Sequence, residues 1–285
     1  MLIGHQKQWK YLERLLKEDR LPHALLFSGQ EKLGKKTLTI EFFYNFFGKN
    51  PLNHPDFIFI EPKKGVIQIS QIRELIWRVS LKPYLSKIKI GVIDQAHLMT
   101  REAQNCFLKT LEEPSKNSVL ILISSHHEML LPTIISRCQI LKFFPIDKKE
   151  IEKYLKNKGL SDQEIKIILS ISQGRPGVAF DLAENLQKIE EREDIIKQFK
   201  KLINSDLFSR FNYIETMINF FNPKEVLEIW LSFLRESLIS NLKKENYLSI
   251  KKDIEKIKKI QETFLLISST NINPHLAFEN LFLII

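Results

Sequence analysis

The sequence has little of what would place it in several common protein classes. Only two of its 285 residues are cysteines, Cys106 and Cys138, and they lie too far apart for a C-x-x-C redox or zinc pair. We expect both to be buried free thiols. No apolar run approaches the ~20 residues that would cross a bilayer. The first residues lack the long apolar stretch of a signal peptide. A cytoplasmic protein that does not enter a membrane is therefore expected.

The charge balance is basic, with a net charge of +9 and a pI near 9.3. A basic surplus favours acidic partners such as nucleic acid or nucleotides. The chain is also rich in lysine, isoleucine, asparagine and phenylalanine, which is typical of an AT-rich genome. The charge alone leaves both interpretations open. The length is sufficient for two or three domains, and no repeat of fixed period is visible.

The pattern of apolar residues changes along the chain. Over residues 1–144 apolar strands alternate with helices, which predicts a parallel sheet covered by helices on both faces. Residues 145–187 fit three short helices, and residues 188–285 are helical throughout. We therefore predict an α/β domain, a small helical domain and an all-α C-terminal domain.

Local signals predict where several helices begin. Ser70 and Thr100 are expected to cap helices, and Ser161-Asp-Gln-Glu164 has the form of a capping box. The mixed-charge run Gln187–Glu193 is interpreted as a helical boundary between domains.

One segment has the spacing of a phosphate-binding loop: Gly29-Gln-Glu-Lys-Leu-Gly34-Lys35-Lys36-Thr37. It lies between an apolar run and an apolar-periodic helix, and its two glycines let backbone amides turn towards an anion. Lys35 is positioned to reach the β- and γ-phosphates. The next residue departs from the pattern, because Lys36 stands where a Ser or Thr hydroxyl would bind Mg²⁺, and Thr37 lies one residue late. ATP and Mg²⁺ binding is predicted to be weak or absent, and whether nucleotide still binds stays open.

A second part of the site is predicted at Asp94, which ends the apolar strand Ile90–Ile93. A strand-end carboxylate orients the Mg²⁺ shell in phosphate-loop sites. Hydrolysing relatives follow it with a glutamate that polarises the attacking water. Gln95 stands there instead, and an amide cannot act as the general base.

Longer motifs resemble a known family. The stretch Asp94–Pro114 resembles the same stretch of bacterial clamp-loader subunits, and Leu131–Gln139 resembles their Leu-Pro-Thr-Ile…Ser-Arg-Cys-Gln segment. Four further segments are similar to the delta-prime group of these DNA polymerase III subunits: Arg20–Ala24, His54–Phe57, Gln71–Arg73 and Asn273–Leu281. The resemblance extends over essentially the whole chain and identifies it as a member of the AAA+ clamp-loader family.

This resemblance implies an architecture, partners and one further residue. It implies a P-loop AAA+ domain over 1–144, a lid over 145–187 and a helical collar over 188–285 that closes a five-subunit ring. The implied partners are the gamma/tau and delta subunits, with the sliding clamp and primed DNA reached through the complex. Arg137 would be an arginine finger that acts in trans on a neighbour's γ-phosphate. The alternative for Arg137 is a local ion pair with a surface carboxylate.

The resemblance also draws attention to what is missing. Gly177 falls where hydrolysing relatives keep a sensor arginine in the lid, and Arg175 is two residues early. Ser125 and His126 occupy the position of a phosphate-sensing Thr-Asn pair and are interpreted as polar residues that follow a strand. The stretch Phe46–His54 lacks the four cysteines of the zinc module found in many delta-prime relatives, so no zinc site is expected.

Three functions follow from these observations. The first is a stator-like delta-prime subunit that hydrolyses ATP poorly or not at all and supplies Arg137 to a neighbour. It agrees with three departures in the chain's own site: Lys36, Gln95 and Gly177. The second is a hydrolysing gamma/tau-like subunit or another AAA+ remodeller, which the retained Lys35, Thr37 and Asp94 support. The third is a nucleic-acid-binding module outside replication, for which only the charge argues.

Overall fold

The computed structural model describes residues 2–185, 187–203, 205–243, 247–270 and 272–284. Backbone contacts divide the chain into two units, Met1–Ala183 and Glu184–Ile285. The predicted domains also contain residues outside the described ranges: Met1, Leu186, Asn204, Lys244, Glu245, Asn246, Asn271 and Ile285. Within the described ranges, no helix is both long and apolar enough to span a membrane.

The first unit contains a parallel sheet, as the sequence predicts. In the described residues its strands are β1 (Ala24–Ser28), β2 (Phe57–Ile60), β3 (Lys89–Ile93), β4 (Ser118–Ser124) and β5 (Gln139–Lys142). They lie side by side in the order β2-β3-β4-β1-β5, and all pairs are parallel. β1, β3 and β4 are buried along their whole length, because helices cover both faces of the sheet. β5 is an edge strand and is largely exposed.

Two apolar cores lie on the two faces of this sheet. The helices of the unit are α1 (Gln6–Lys17), α2 (Lys35–Phe47), α3 (Ile69–Ser80), α4 (Arg101–Glu112), α5 (Pro132–Ile135), α6 (Lys148–Asn157), α7 (Asp162–Ser172) and α8 (Pro176–Glu184). Leu26 of β1 faces the core that contains Leu75 of α3 and Phe107 of α4. Its neighbour Phe27 faces the core that contains Leu12 of α1 and Leu38 of α2. This alternation follows from the two-residue period of a strand.

The predicted helix starts are confirmed in two of three cases. The Thr100 hydroxyl accepts a hydrogen bond from the Ala103 amide at 3.3 Å and caps α4. Ser161 and Glu164 form the predicted capping box of α7. The prediction for Ser70 is wrong, because Gln68 is the N-cap of α3. The Gln68 amide donates to the Gln71 side chain at 3.1 Å, so the helix begins at Ile69.

Smaller differences concern element ends and the cysteines. β3 begins at Lys89, one residue before the apolar run Ile90–Ile93, and α8 ends at Glu184. Cys138 is buried, and burial raises the pKa of its thiol to about 12. Cys106 is only half-buried, so the prediction of two buried thiols is wrong for this residue. It lines a groove together with Ile76 and Trp77 of α3.

The second unit is helical. Its helices are α9 (Gln187–Ile203), α10 (Leu207–Phe220), α11 (Pro223–Lys243), α12 (Tyr247–Ser269) and α13 (Pro274–Ile284). Pro223 begins α11 and Pro274 begins α13, because the first helical position needs no amide donor. The core is aromatic: Trp230 stacks on Phe199 with ring centroids 4.4 Å apart and meets Phe278 and Phe282 edge-on.

The division into units differs from the predicted domain limits in one respect. The charged run that begins at Gln187 forms the first turns of α9, while the units separate at Ala183. The predicted lid helices belong to the same unit as the sheet. A separate lid domain therefore stays a prediction.

Candidate nucleotide-binding site

The glycine loop joins β1 to α2 in a conformation that two glycines make possible. A Cβ atom on Gly29 would lie 2.4 Å from the Phe143 carbonyl oxygen, so no larger residue fits there. Gly34 has a left-handed backbone (φ 92°) and leads directly into α2. The first amides of a helix have no acceptor within the helix. The loop can therefore present backbone donors at the end of β1, and its role in phosphate binding stays a prediction.

Lys35 is buried at the base of this loop, with 6% of its surface exposed. Its Nζ donates to the Gly29 carbonyl and, at 2.6 Å, to the Gln30 carbonyl. Burial lowers the pKa of Lys35 to about 8, against the opposing effects of Glu31 and Asp94. The lysine is thus oriented by the loop itself, with its charge next to two loop carbonyl groups.

Lys36 contacts the strand-end carboxylates. Its Nζ pairs with Glu61, which follows β2, and lies 3.7 Å from an oxygen of Asp94, which follows β3. It also lies 5.1 Å from the ring centroid of Phe59, a cation–π distance. Asp94 is 7% exposed, and burial raises its pKa despite the opposing charge of Lys36 and a hydrogen bond from the Gln95 amide.

The predicted lid closes over the loop through a backbone contact. The Gly177 amide donates to the Lys32 carbonyl at 2.8 Å, and the Lys32 ammonium pairs with Asp181 at 2.8 Å. A Cβ atom at position 177 would lie 2.9 Å from that same carbonyl oxygen. Glycine at position 177 is therefore what lets α8 approach the loop this closely.

The loop, the strand ends and α8 enclose a cleft with a cavity volume of about 370 Å³. Five of the predicted site residues line it: Gly34, Lys35, Lys36, Thr37 and Asp94. Gly29 is joined to it through Lys35.

Sequence reasoning missed Glu61 and the Lys32–Asp181 pair. Glu61 was detectable, because it directly follows β2 and the carboxyl ends of parallel strands share one edge of the sheet. We call the end of the sheet where the strands finish, marked by Gly29, Asp94 and Ser125, the carboxyl edge.

A histidine that the sequence reasoning passed over connects Ser125 and His126 to this edge. The hydroxyls of Ser124 and Ser125 each lie 3.3 Å from a ring nitrogen of His97. The ring of His126 meets that of His97 edge-on. Burial lowers the pKa of His97 to about 4, and His126 and Lys35 add to the effect. From the sequence, Ser125 and His126 are interpreted as polar residues that follow a strand. In the structure both contact His97 and belong to a group of polar side chains next to the loop.

Arg137 lies at the opposite end of the sheet, where the strands begin. We call this end, marked by Glu112, Arg137 and Gln139, the amino edge. Gln139, the first residue of β5, pairs with Leu25, four residues before Gly29. At ~3.3 Å per residue the start of β5 is roughly 13 Å from the loop along the strands, and Arg137 precedes that start. The Arg137 guanidinium is half-exposed, pairs with Glu112 at 2.9 Å and donates to the Thr133 carbonyl at 3.0 Å. In this chain it therefore makes the local ion pair that the sequence left as an alternative.

The parallel sheet, the glycine loop after β1 and the carboxylate after β3 define a P-loop protein of the AAA+ class. The fold agrees with solved structures. One is a gamma-subunit-related DNA polymerase III protein from Thermotoga maritima, with a TM-score of 0.57 and 21% identity over 97% of this chain and 98% of that one. Another is a single-substitution variant of RuvB from Thermotoga maritima, with a TM-score of 0.50 and 17% identity over 70% of this chain and 64% of that one.

Sequence comparison gives the particular family. The family model described as DNA polymerase III, delta subunit, matches residues 4–147. DNA polymerase III subunit delta′ of Bacillus subtilis (strain 168) is 31% identical over 241 residues, which are 79% of this chain and 73% of that protein. The delta′ subunit of Haemophilus influenzae is 33% identical over 151 residues, 52% of this chain and 45% of that protein. The chain belongs to this DNA polymerase III family.

Proposed function

We propose that this chain is a delta-prime-type subunit of the bacterial DNA polymerase III clamp loader. It assembles with gamma/tau and delta subunits into a five-subunit ring that loads the sliding clamp onto primed DNA, and it acts in the cytoplasm. Within the ring it is a stator. Its own cleft hydrolyses ATP poorly or not at all, and Arg137 completes the site of a neighbouring subunit.

The position of Arg137 is the observation on which this proposal depends most. The arginine lies at the amino edge, so it cannot reach the phosphate loop of its own chain. It is half-exposed and pairs with one surface carboxylate, Glu112. An exposed ion pair of this kind contributes only about 0–1 kcal/mol, so a phosphate group can replace the carboxylate. A planar guanidinium binds phosphate oxygens in the same paired geometry.

The cleft of the chain itself supports the stator interpretation. Gln95 follows Asp94 where a general base is needed, and its side chain has no basic group. Lys36 takes the place of the magnesium hydroxyl, and Gly177 takes the place of the lid arginine. Each change removes a different part of the hydrolytic apparatus that acts in cis.

The alternative is a hydrolysing gamma/tau-like subunit or another AAA+ remodeller. It is favoured by the retention of Lys35, Thr37 and Asp94 in one cleft. The purified chain distinguishes the two. A stator has no ATPase activity above background. Robust hydrolysis that is lost in Lys35→Ala would contradict the stator role.

The finger is tested in the reconstituted complex with Arg137→Ala. Removal of an arginine finger slows hydrolysis at the site it serves on the order of 10³-fold. The steady-state ATPase rate of the complex should therefore fall by at least the fraction of the total rate that this one site contributes. Folding and assembly should be unchanged, because Arg137 is a surface residue.

Arg78→Ala is the matched control. Arg78 is also a surface arginine that pairs with a carboxylate of its own chain, Glu74, at 3.9 Å. Its replacement should leave the ATPase rate of the complex unchanged. An equal loss in both variants, or none in Arg137→Ala, would refute the assignment of the finger.

A further inference from the structure

The position that a magnesium ion takes in a phosphate-loop site is surrounded here by groups of one chain. Lys36 comes from the first turn of α2, Glu61 follows β2 and Asp94 follows β3. The lysine ammonium lies between the two carboxylates and above the Phe59 ring. Residues from three separate elements therefore meet at this position, and Lys36 supplies its positive charge.

These residues do not fit a divalent cation. In phosphate-loop sites the metal is held by the hydroxyl that follows the loop lysine and by the carboxylate at the strand end. The hydroxyl is replaced by the Lys36 ammonium, and that ammonium already neutralises the second ligand, Asp94. A metal ion at this position would either displace Lys36 from both carboxylates or lie next to a like charge.

The anion-binding part of the site is retained beside this pair. Gly29 has no room for a side chain, and Gly34 leads the backbone into α2, so the loop keeps the shape that presents amides to an anion. Lys35 lies within the same loop. The cleft therefore combines donors for phosphate oxygens with a fixed cation where a bound metal would otherwise neutralise those oxygens.

We infer that Lys36 replaces the magnesium ion, so that the cleft binds the phosphates of a nucleoside di- or triphosphate in their metal-free form. The inference rests on the degenerate nucleotide site of the proposed function. It adds that the site has exchanged its metal for a side chain and still accepts phosphate. Binding then does not require Mg²⁺, and Mg²⁺ that coordinates the nucleotide in solution competes with Lys36 for the same oxygens.

The test is a titration of the full chain with fluorescent ADP and ATP analogues, in excess Mg²⁺ and in EDTA. The wild-type chain should bind at least as tightly in EDTA as in Mg²⁺. Lys36→Ser restores a hydroxyl and should reverse this order, so that Mg²⁺ strengthens ATP binding about tenfold or more. Lys36→Arg keeps a cation and should remain independent of Mg²⁺. Pyrophosphate in the same assay shows whether the phosphates bind without the nucleoside.

Lys166→Ser is the matched control, because it removes one exposed lysine from α7 and should behave as the wild type. Circular dichroism checks that each variant is folded, and Lys36→Arg keeps the test decisive if Lys36→Ser does not fold. Wild-type binding that requires Mg²⁺ would overturn the inference. So would the absence of binding to nucleotide and pyrophosphate in EDTA. Neither result affects the Arg137→Ala experiment, which measures a neighbour's site, so the two proposals fail separately.

Discussion

The two edges of the central sheet differ in how deeply they bury charged groups. At the carboxyl edge Lys35 and Asp94 are buried, and each contacts groups of the same chain. At the amino edge the Arg137 guanidinium is half-exposed and contacts one carboxylate, Glu112, on the surface. The carboxyl edge thus buries two charged groups beside the more exposed Lys36–Glu61 pair. The amino edge holds its arginine at the surface, where a second molecule can reach it.

This difference has an energetic basis. A buried charge loses its hydration, so removal of its partner leaves an uncompensated charge and is strongly destabilising. An exposed pair loses little hydration and is screened by solvent. Changes to the buried groups of the carboxyl edge should therefore reduce the stability of the chain. Changes at the amino edge should leave stability nearly unchanged, and any effect should appear in the assembled complex.

The largest effect on stability is expected from pH and His97 at the carboxyl edge. The pKa of His97 is about 4 in the folded chain, below the value of 6.5 for a free histidine, because the ring is buried. The unfolded chain thus binds more protons between these values. The stability that this group contributes is complete above pH 6.5 and is lost as the pH falls towards 4. Between pH 7 and pH 5 the loss should be about 2 kcal/mol.

The measurement is urea unfolding of the wild type and of His97→Gln at both pH values. Glutamine keeps hydrogen-bonding groups near Ser124 and Ser125 but does not titrate. The variant should lose about 2 kcal/mol less than the wild type over this range, since the contributions of His5 and His54 are common to both. An equal pH dependence in the two proteins would show that His97 is not the titrating group.

A smaller effect is expected where α8 meets the loop. In Gly177→Ala the added methyl group would approach the Lys32 carbonyl oxygen to 2.9 Å, and backbone atoms on both sides would have to move. Alanine favours the helix by up to about 1 kcal/mol, which offsets part of the strain. We expect a net loss of about 1 kcal/mol in the free energy of unfolding, since an overpacked contact typically costs about 1–3 kcal/mol.

Hydrogen exchange at the amide of position 177 provides the specific readout. In the wild type this amide donates to Lys32 and should be protected. In Gly177→Ala its exchange should be faster, while the amides of α7 should exchange as before. Unchanged protection together with unchanged stability would mean that the lid is not held by this contact.

The two edges also differ in how far the sequence could predict them. The loop from Gly29 to Thr37 and Asp94 were found from local spacing, because strand, loop and helix follow one another directly in the chain. Glu61 and His97 were missed as site residues. Glu61 was detectable, because it directly follows a strand whose carboxyl end lies at this edge. His97 contacts Ser124 and Ser125 only when β3 and β4 lie side by side, and that order is a property of the folded sheet.

Arg137 shows a different limit. The motif around it was recognised, but its ion pair with Glu112 joins residues 25 positions apart that meet only when α4 returns to the amino edge. The wrong cap at Ser70 has a local cause, because glutamine is a less common cap than serine and its pairing with Gln71 was not considered. The backbone contact of Gly177 with Lys32 could not be predicted, since it depends on how α8 approaches the loop.

The smallest effect on stability is expected at the amino edge, from Glu112→Gln. The pair with Arg137 is exposed on both sides, so the free energy of unfolding should stay within about 0.5 kcal/mol of the wild-type value. The ATPase rate of the reconstituted complex should be equal to the wild-type rate or modestly higher, because Arg137 no longer has to leave a carboxylate before it contacts a phosphate. Chemical denaturation and the complex assay test the two parts separately. If Glu112→Gln instead lowers the rate as far as Arg137→Ala does, Glu112 is needed to position the arginine, and the amino edge is built as rigidly as the carboxyl edge.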